Sequence, residues 1–132
     1  MLAYSNGLRH AQNEALIAYA GTGAKINIYQ GTQPATANTA ITTQTLIVTL
    51  TVPGVFGTDT DGTLTLGTVT TGTASSGGTM QFFRITQSNG TTVVMDGSVG
   101  TSGADMNFDT TTVAITQQVA ISSGTIIRNN QG

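Results

Sequence analysis

The chain has 132 residues, a formal net charge of −2, no cysteine and only 8% charged residues, which is the size of one ordinary domain. Its four basic residues are scattered and form no stripe that would neutralise phosphates, so we expect no nucleic-acid partner. The absence of cysteine excludes disulfides and thiolate metal sites. The N-terminus has no apolar run of signal-peptide length, and no run approaches the roughly 20 apolar residues of a membrane helix, so we expect a soluble protein made in the cytoplasm.

The residue composition favours an all-β fold. Threonine occurs 27 times and glycine 17 times, and 38% of the residues are hydrophobic. Threonine is β-branched and fits a pleated, half-buried surface, while glycine supplies tight turns. A low surface charge also gives little colloidal protection, which suits a protein that works within an assembly better than a free monomer.

One helix is predicted, over residues 5–20. Ser5 or Asn6 can cap its N-terminus, and Gly21 stands where a helix stops. The apolar residues fall roughly on one stripe: Leu8, Ala11, Ala15, Leu16 and Tyr19. The stripe is short, so the helix must pack on its own sheet or on a neighbouring subunit.

After Gly23 the apolar pattern alternates with the period of strands. Eight strands are predicted, over residues 24–29, 45–52, 63–70, 80–87, 91–99, 104–109, 112–121 and 125–128. Asn89-Gly90 predicts a two-residue type I′ hairpin turn that sets Ile85 opposite Val94 and Thr86 opposite Val93. Three inward faces are predicted: Ile26 and Ile28; Leu46, Val48, Leu50 and Val52; Val113, Ile115, Val119 and Ile121.

This strand spacing predicts a single β-sandwich domain over residues 1–132. A jelly-roll-like sandwich is our first expectation and an immunoglobulin-like one the second. Residues 1–23 would form an N-terminal arm and helix, residues 24–128 the sandwich, and residues 129–132 a polar tail.

The segment Asp105-Met106-Asn107-Phe108-Asp109 could be a metal site or the polar outer face of a strand. It matches the first three ligand positions of a calcium loop, but Thr110 replaces the turn glycine and Thr116 the bidentate glutamate. We therefore expect a strand with Met106 and Phe108 facing inward, and no bound metal. Asp59 and Asp61 precede Gly62 in what reads as an ordinary turn.

Catalytic chemistry has few candidates in this chain. His10 is the single histidine, and no strand-turn-helix nucleophile elbow accompanies it. The chain has no tryptophan to line a sugar cleft, although six carboxylates are available for paired acid–base work. We expect no enzyme activity, no cofactor and no small-molecule substrate.

Three stretches together resemble small structural proteins of tailed bacteriophages: MLAYSNGLRHAQNEAL at the start, INIYQGTQPAT with AITTQTLIVTLTV, and FFRITQSNGTTVVMDGSVGTSGADMNFDTTTVAITQQVAISSGTI. The resemblance runs from Met1 to about Ile127 and brings no catalytic residues. It implies a virion protein, with the outer capsid surface as its location and the major capsid protein as its partner.

Three functions of different kinds are therefore open. The first is a capsid decoration or cement protein that binds the shell as a dimer or trimer. The second is a tail or collar component that contacts other virion proteins or the host surface. The third is a carbohydrate-binding or hydrolytic module, whose calcium-dependent version would need metal bound by Asp105, Asn107 and Asp109. For the first two, the predicted subunit-interface residues are Leu2, Tyr4, Leu8, Leu16 and Tyr19.

Overall fold

The computed structural model describes residues 2–121 and, for their backbone only, residues 125–127. The chain is mostly β-structure with one short helix, as the sequence predicts. Helix α1 spans Asn6–Ala20, and the strands are β1 Ala24–Gln30, β2 Thr45–Val52, β3 Gly57–Thr60, β4 Thr63–Leu66, β5 Gly72–Thr73, β6 Gly78–Thr79, β7 Phe82–Thr86, β8 Val93–Gly100, β9 Met106–Asn107, β10 Thr112–Val113, β11 Gln118–Val119 and β12 Thr125–Ile127. Among these described residues, no helix is long and apolar enough to span a bilayer.

Both ends of helix α1 have the caps that the sequence predicts. The Ser5 Oγ accepts a hydrogen bond of 3.1 Å from the Leu8 N–H, which satisfies one of the free amides of the first turn. Gly21 follows the last helical residue with φ 70°, a conformation that glycine adopts without strain, and its N–H donates to the Ile17 carbonyl. One face of the helix is buried through Asn13, Leu16 and Ala20.

Five strands form one curled sheet in the order β2-β1-β7-β8-β9. The first four pair antiparallel, and the short β9 runs parallel to β8. Side chains alternate between the two faces of a strand, and those of one face form the centre of the core: Ile26, Ile28, Val48, Leu50, Phe83 and Ile85. The inward prediction for Ile26 and Ile28 is confirmed.

The other strands form three small sheets, β12-β4-β3, β11-β5 and β10-β6. Their buried side chains belong to the same core as the five-stranded sheet: Phe56 from the segment before β3, Leu64 from β4, Val113 from β10 and Val119 from β11. Met106 and Phe108 also pack against this core, as predicted. The five-stranded sheet and side chains from each of the three small sheets therefore contribute to one hydrophobic core.

The predicted inward face of β2 is wrong at one end. The register of β1 against β2 shifts after Ile28, so that Val48 faces Ile28 while Leu46 faces Tyr29. The extra residue is Ile47, which is fully buried, whereas Leu46 is exposed. A one-residue shift sends every later side chain to the opposite face, and the alternation in the sequence gave no sign of it.

The type I′ turn lies at Asp61-Gly62 rather than at Asn89-Gly90. Thr60 pairs with Thr63, and both turn residues have positive φ, 51° and 90°, as this turn requires. Residues 87–92 form the β7–β8 connection instead. Thr86 pairs with Val93 as predicted, but a register shift pairs Ile85 with Met95, so the predicted Val94 partner is wrong.

Two further segments differ from the strand prediction. Residues 57–60 form strand β3 although they read as a turn, because they pair along the whole of β4. Residues 112–121 form two short strands instead of one, since Thr116 takes φ 71° between them. Ile115 is consequently 61% exposed, contrary to its predicted inward position. Arg128, predicted to end the last strand, lies outside the described residues.

Candidate functional site

The outward face of helix α1 is exposed and mostly apolar, with the exposed Glu14 among its residues. Three large side chains of the N-terminal arm and helix are 63%, 47% and 53% exposed: Leu2, Leu8 and Tyr19. Between Leu8 and Tyr19, three exposed alanines continue the same face at helical spacing: Ala11, Ala15 and Ala18. We call Leu8, Ala11, Ala15, Ala18 and Tyr19 the helix outer face.

Two of the predicted interface residues lie elsewhere. Leu16 is buried in the subunit's own core, where it packs on the sheet, so it is not available to a partner. Tyr4 is half-buried. Of the five predicted residues, Leu2, Leu8 and Tyr19 can contact another subunit without any rearrangement, and that contact remains a prediction.

A cluster of polar side chains connects helix α1 to the β3–β4 hairpin on a side of the helix away from the helix outer face. The His10 Nδ1 lies 2.5 Å from the Asp59 Oδ2, and the His10 side chain is 51% exposed while that of Asp59 is buried. The second Asp59 oxygen accepts a hydrogen bond from the Asn13 amide. The Gly62 N–H also donates to Asp59, at 3.3 Å. Asp59 therefore ties together the helix and its own turn.

This arrangement shifts the pKa of both partners. The hydrogen bond to Asp59 raises the pKa of His10, and the carboxylates of Asp59, Glu14 and Asp61 add to the rise, while desolvation opposes it. Burial raises the pKa of Asp59, but the hydrogen bonds from Asn13, His10 and Gly62 outweigh that effect and hold it below its ordinary value. The pair is consequently charged over a wide range of pH.

A histidine that is oriented by a buried carboxylate also provides two of the three residues of a nucleophile-activating triad. Such chemistry needs a hydroxyl or thiol within hydrogen-bond reach of the free ring nitrogen. Among the described residues, no hydroxyl hydrogen-bonds to the His10 ring. The cluster therefore has a geometry that holds the helix in place. The sequence did not predict this contact, because its two partners are 49 positions apart in the chain and neither residue stands in a recognisable motif.

The acidic segment 105–109 is engaged in local hydrogen bonds. The Asp105 carboxylate accepts from the Ser98 N–H at 2.9 Å and from the Ser98 hydroxyl at 3.2 Å. The Asn107 amide exchanges two hydrogen bonds of 3.1 Å with the Ala104 backbone. A cation would have to displace these bonds. Within residues 2–121 and 125–127, no group of three or more His, Cys, Asp or Glu side chains could hold a metal ion.

The structure reveals one further charged pair, between β7 and β8. The Arg84 Nε donates to the Asp96 Oδ1 at 2.7 Å and its Nη2 to the Oδ2 at 2.8 Å, and both side chains are nearly inaccessible. This bidentate contact raises the pKa of Arg84. Tyr29 stacks on Phe82 with ring centroids 5.1 Å apart. The sequence did not predict the Arg84–Asp96 pair, because the register shift between Ile85 and Thr86 decides which residues of β7 and β8 oppose each other.

Comparison with known proteins gives no relatives from which a function could be transferred. No protein-family model, no curated protein and no solved structure matches the chain.

Proposed function

We propose that the chain is a structural protein of a tailed-bacteriophage virion, and that it decorates the outer capsid shell as a dimer or trimer. Its partners are further copies of itself and the major capsid protein. The resemblance of three long stretches to small phage structural proteins supports this role. A sparsely charged, threonine- and glycine-rich β-protein also suits a part that is packed against neighbours.

The helix outer face carries the proposal. A surface helix of a monomer normally turns charged and polar residues outward, whereas this one presents Leu8, Tyr19 and three alanines, with the exposed Glu14 beside them. Small side chains at the centre let another backbone approach closely, and the two large side chains at its ends supply apolar area. Leu2 on the arm extends the same type of surface. Each contact can be weak, because many copies on a lattice add avidity.

The finer architecture forms part of the proposal. We propose that the five-stranded sheet and the three small sheets together make a jelly-roll-like sandwich, with an immunoglobulin-like arrangement as the alternative. The shared core supports two packed layers. In either arrangement, helix α1 stays attached at one side and keeps its outer face free.

The solution mass of the protein tests the proposed self-association. Light scattering of the wild type is expected to give a dimer or trimer. The double variant Leu8→Ser/Tyr19→Ser is expected to be a monomer with unchanged circular dichroism, because it removes exposed apolar area only. The matched control is Val55→Ser/Ile115→Ser, whose native side chains are 59% and 61% exposed but lie away from the helix.

The control variant should keep the wild-type mass. A monomeric wild type, or an oligomer that survives the helix substitutions, would contradict the proposed use of this face.

A further inference from the structure

A large cavity opens between the five-stranded sheet and the strands β10 and β11. Its volume is about 720 Å³, within the usual range for a ligand site. Its wall combines buried core residues with apolar side chains that are only partly buried. Met80 and Phe83 belong to the buried ones, while Met95, Met106, Phe108 and Ile121 are partly buried.

The cavity is open to solvent on one side, and its lining is mixed, because Asn107, Thr110, Gln117 and Gln118 lie beside the apolar side chains. Water finds few partners on the methionine, phenylalanine and isoleucine side chains of the lining. Burial of matching apolar groups against these side chains is therefore favourable. Three of the wall residues are methionines, whose flexible thioethers adapt to different shapes.

The polar part of the wall is acidic. Three carboxylates line the cavity, those of Asp96, Asp105 and Asp109, beside four neutral polar side chains, and no lysine, arginine or histidine among the described residues lines it. Asp96 is neutralised by Arg84, and Asp105 is held by Ser98. Asp109 takes part in no hydrogen bond or ion pair among the described residues. The wall thus combines apolar contact area with one carboxylate that lacks a described partner.

We propose that this cavity binds a segment of a partner protein that inserts a large apolar side chain next to a lysine or arginine. The apolar side chain fills the methionine-lined space, and the cation pairs with Asp109. The inference rests on the proposed assembly function, which supplies the partner, and it places a second contact surface on the subunit, away from the helix outer face. Acidic segments are excluded because they would place a second carboxylate beside Asp109.

Three methionine methyl groups in the wall provide a direct test. The protein is labelled with ¹³C at the methionine methyls and titrated with acetyl-Leu-Leu-Lys-amide. The control peptides are acetyl-Leu-Leu-Glu-amide and acetyl-Gly-Gly-Lys-amide, and hexylamine represents a small cationic amphiphile. The Met80, Met95 and Met106 signals are expected to shift saturably with the Leu-Leu-Lys peptide, about threefold more tightly than with the Glu peptide, the size of an exposed ion pair.

Two charge variants complete the design. Asp109→Asn is expected to bring the Lys and Glu peptides to equal affinity. Asp61→Asn makes the same charge change in the β3–β4 turn, where Asn-Gly is well tolerated, and should leave the preference intact. Equal affinities for the two peptides in the wild type, or no shift with any peptide at about 5 mM, would overturn the proposal. Binding of hexylamine without peptide binding would also overturn it, in favour of a small-molecule ligand.

These outcomes are separate from those of the proposed function. Peptide binding by a protein that fails to associate with capsid shells would remove the virion role and keep the cavity as a binding site. Shell association without peptide binding would keep the virion role and remove the cavity as a binding site.

Discussion

The contact between His10 and Asp59 makes the attachment of helix α1 depend on pH. The folded state raises the pKa of His10 above its ordinary 6.5, so this contribution to stability is complete below pH 6.5 and is lost as the pH rises through the raised value. The folded state lowers the pKa of Asp59 from 3.8, so that contribution is complete above pH 3.8 and is lost as the pH falls through the lowered value. The pair is strongest between these limits.

We therefore predict that the free energy of unfolding decreases from about pH 6 to about pH 9, and that His10→Gln removes this decrease. Glutamine keeps a hydrogen-bonding group near Asp59 but does not titrate. Urea denaturation of both proteins at the two pH values measures the effect. A variant with the same pH dependence as the wild type would show that the pair does not fasten the helix.

The buried pair Arg84–Asp96 should respond differently to single and double substitution. Asp96→Leu leaves a buried guanidinium without its carboxylate and is expected to cost about 3 kcal/mol, whereas Asp96→Leu with Arg84→Met removes both charges and should recover most of that loss. Urea denaturation of the three proteins gives the values. Equal losses in the single and double variants would show that the pair's charges are solvated in the folded state.

Among the secondary-structure elements, strand β3 shows why part of the fold could not be predicted from the sequence. Helix α1 and the strands β1 and β2 have long periodic patterns, and their bounds follow from the sequence. Residues 57–60 contain one glycine and two threonines and have no apolar alternation, so only their pairing with β4 makes them a strand. Register shifts beside Ile28 and Ile85 place later side chains on the opposite face of their strands. These shifts also depend on tertiary pairing, which the sequence pattern does not show.

The candidate sites were predictable to a similar degree. Leu8 and Tyr19 lie together on the exposed side of helix α1, which their spacing made predictable, whereas Leu16 of the same predicted stripe is buried in the core. The His10–Asp59 contact and the cavity depend on residues far apart in the chain. Local sequence patterns do not indicate contacts between residues this far apart in the chain, so both sites could be found only from the structure.

Gly57 provides a direct test of the β3–β4 pairing. A β-carbon at this position would lie 2.4 Å from the Thr65 carbonyl oxygen, which is backbone and cannot move without breaking the strand pair. Gly57→Ala is expected to lower the stability by about 2 kcal/mol, or Tm by about 5–8 °C.

Gly54→Ala is the matched control, because a β-carbon there meets nothing within 4 Å. Its Tm should stay within about 2 °C of the wild type. Thermal denaturation followed by circular dichroism compares the two variants. Equal melting temperatures would mean that β3 does not pack closely against β4.

In the molecule as a whole, two surfaces have separate roles in the proposed assembly. In our proposal, the helix outer face joins copies of the chain, and the cavity between the sheet and β10–β11 receives a basic, apolar segment of a partner. Between them lies a surface with few charges, since only 8% of the residues are charged. Such a surface resists aggregation poorly in free solution, and a lattice of neighbours would cover it.

Co-sedimentation with empty capsid shells of a tailed bacteriophage, the kind of virion in which we propose that the chain assembles, tests the central claim most directly. Purified protein is mixed with shells over a range of ratios and centrifuged, and the amount in the pellet is measured against shell subunits. We predict saturation at a fixed ratio, and a loss of binding in the variant Leu8→Ser/Tyr19→Ser through lost avidity. Protein that remains in the supernatant at every ratio would contradict a decoration role and favour the tail or the collar.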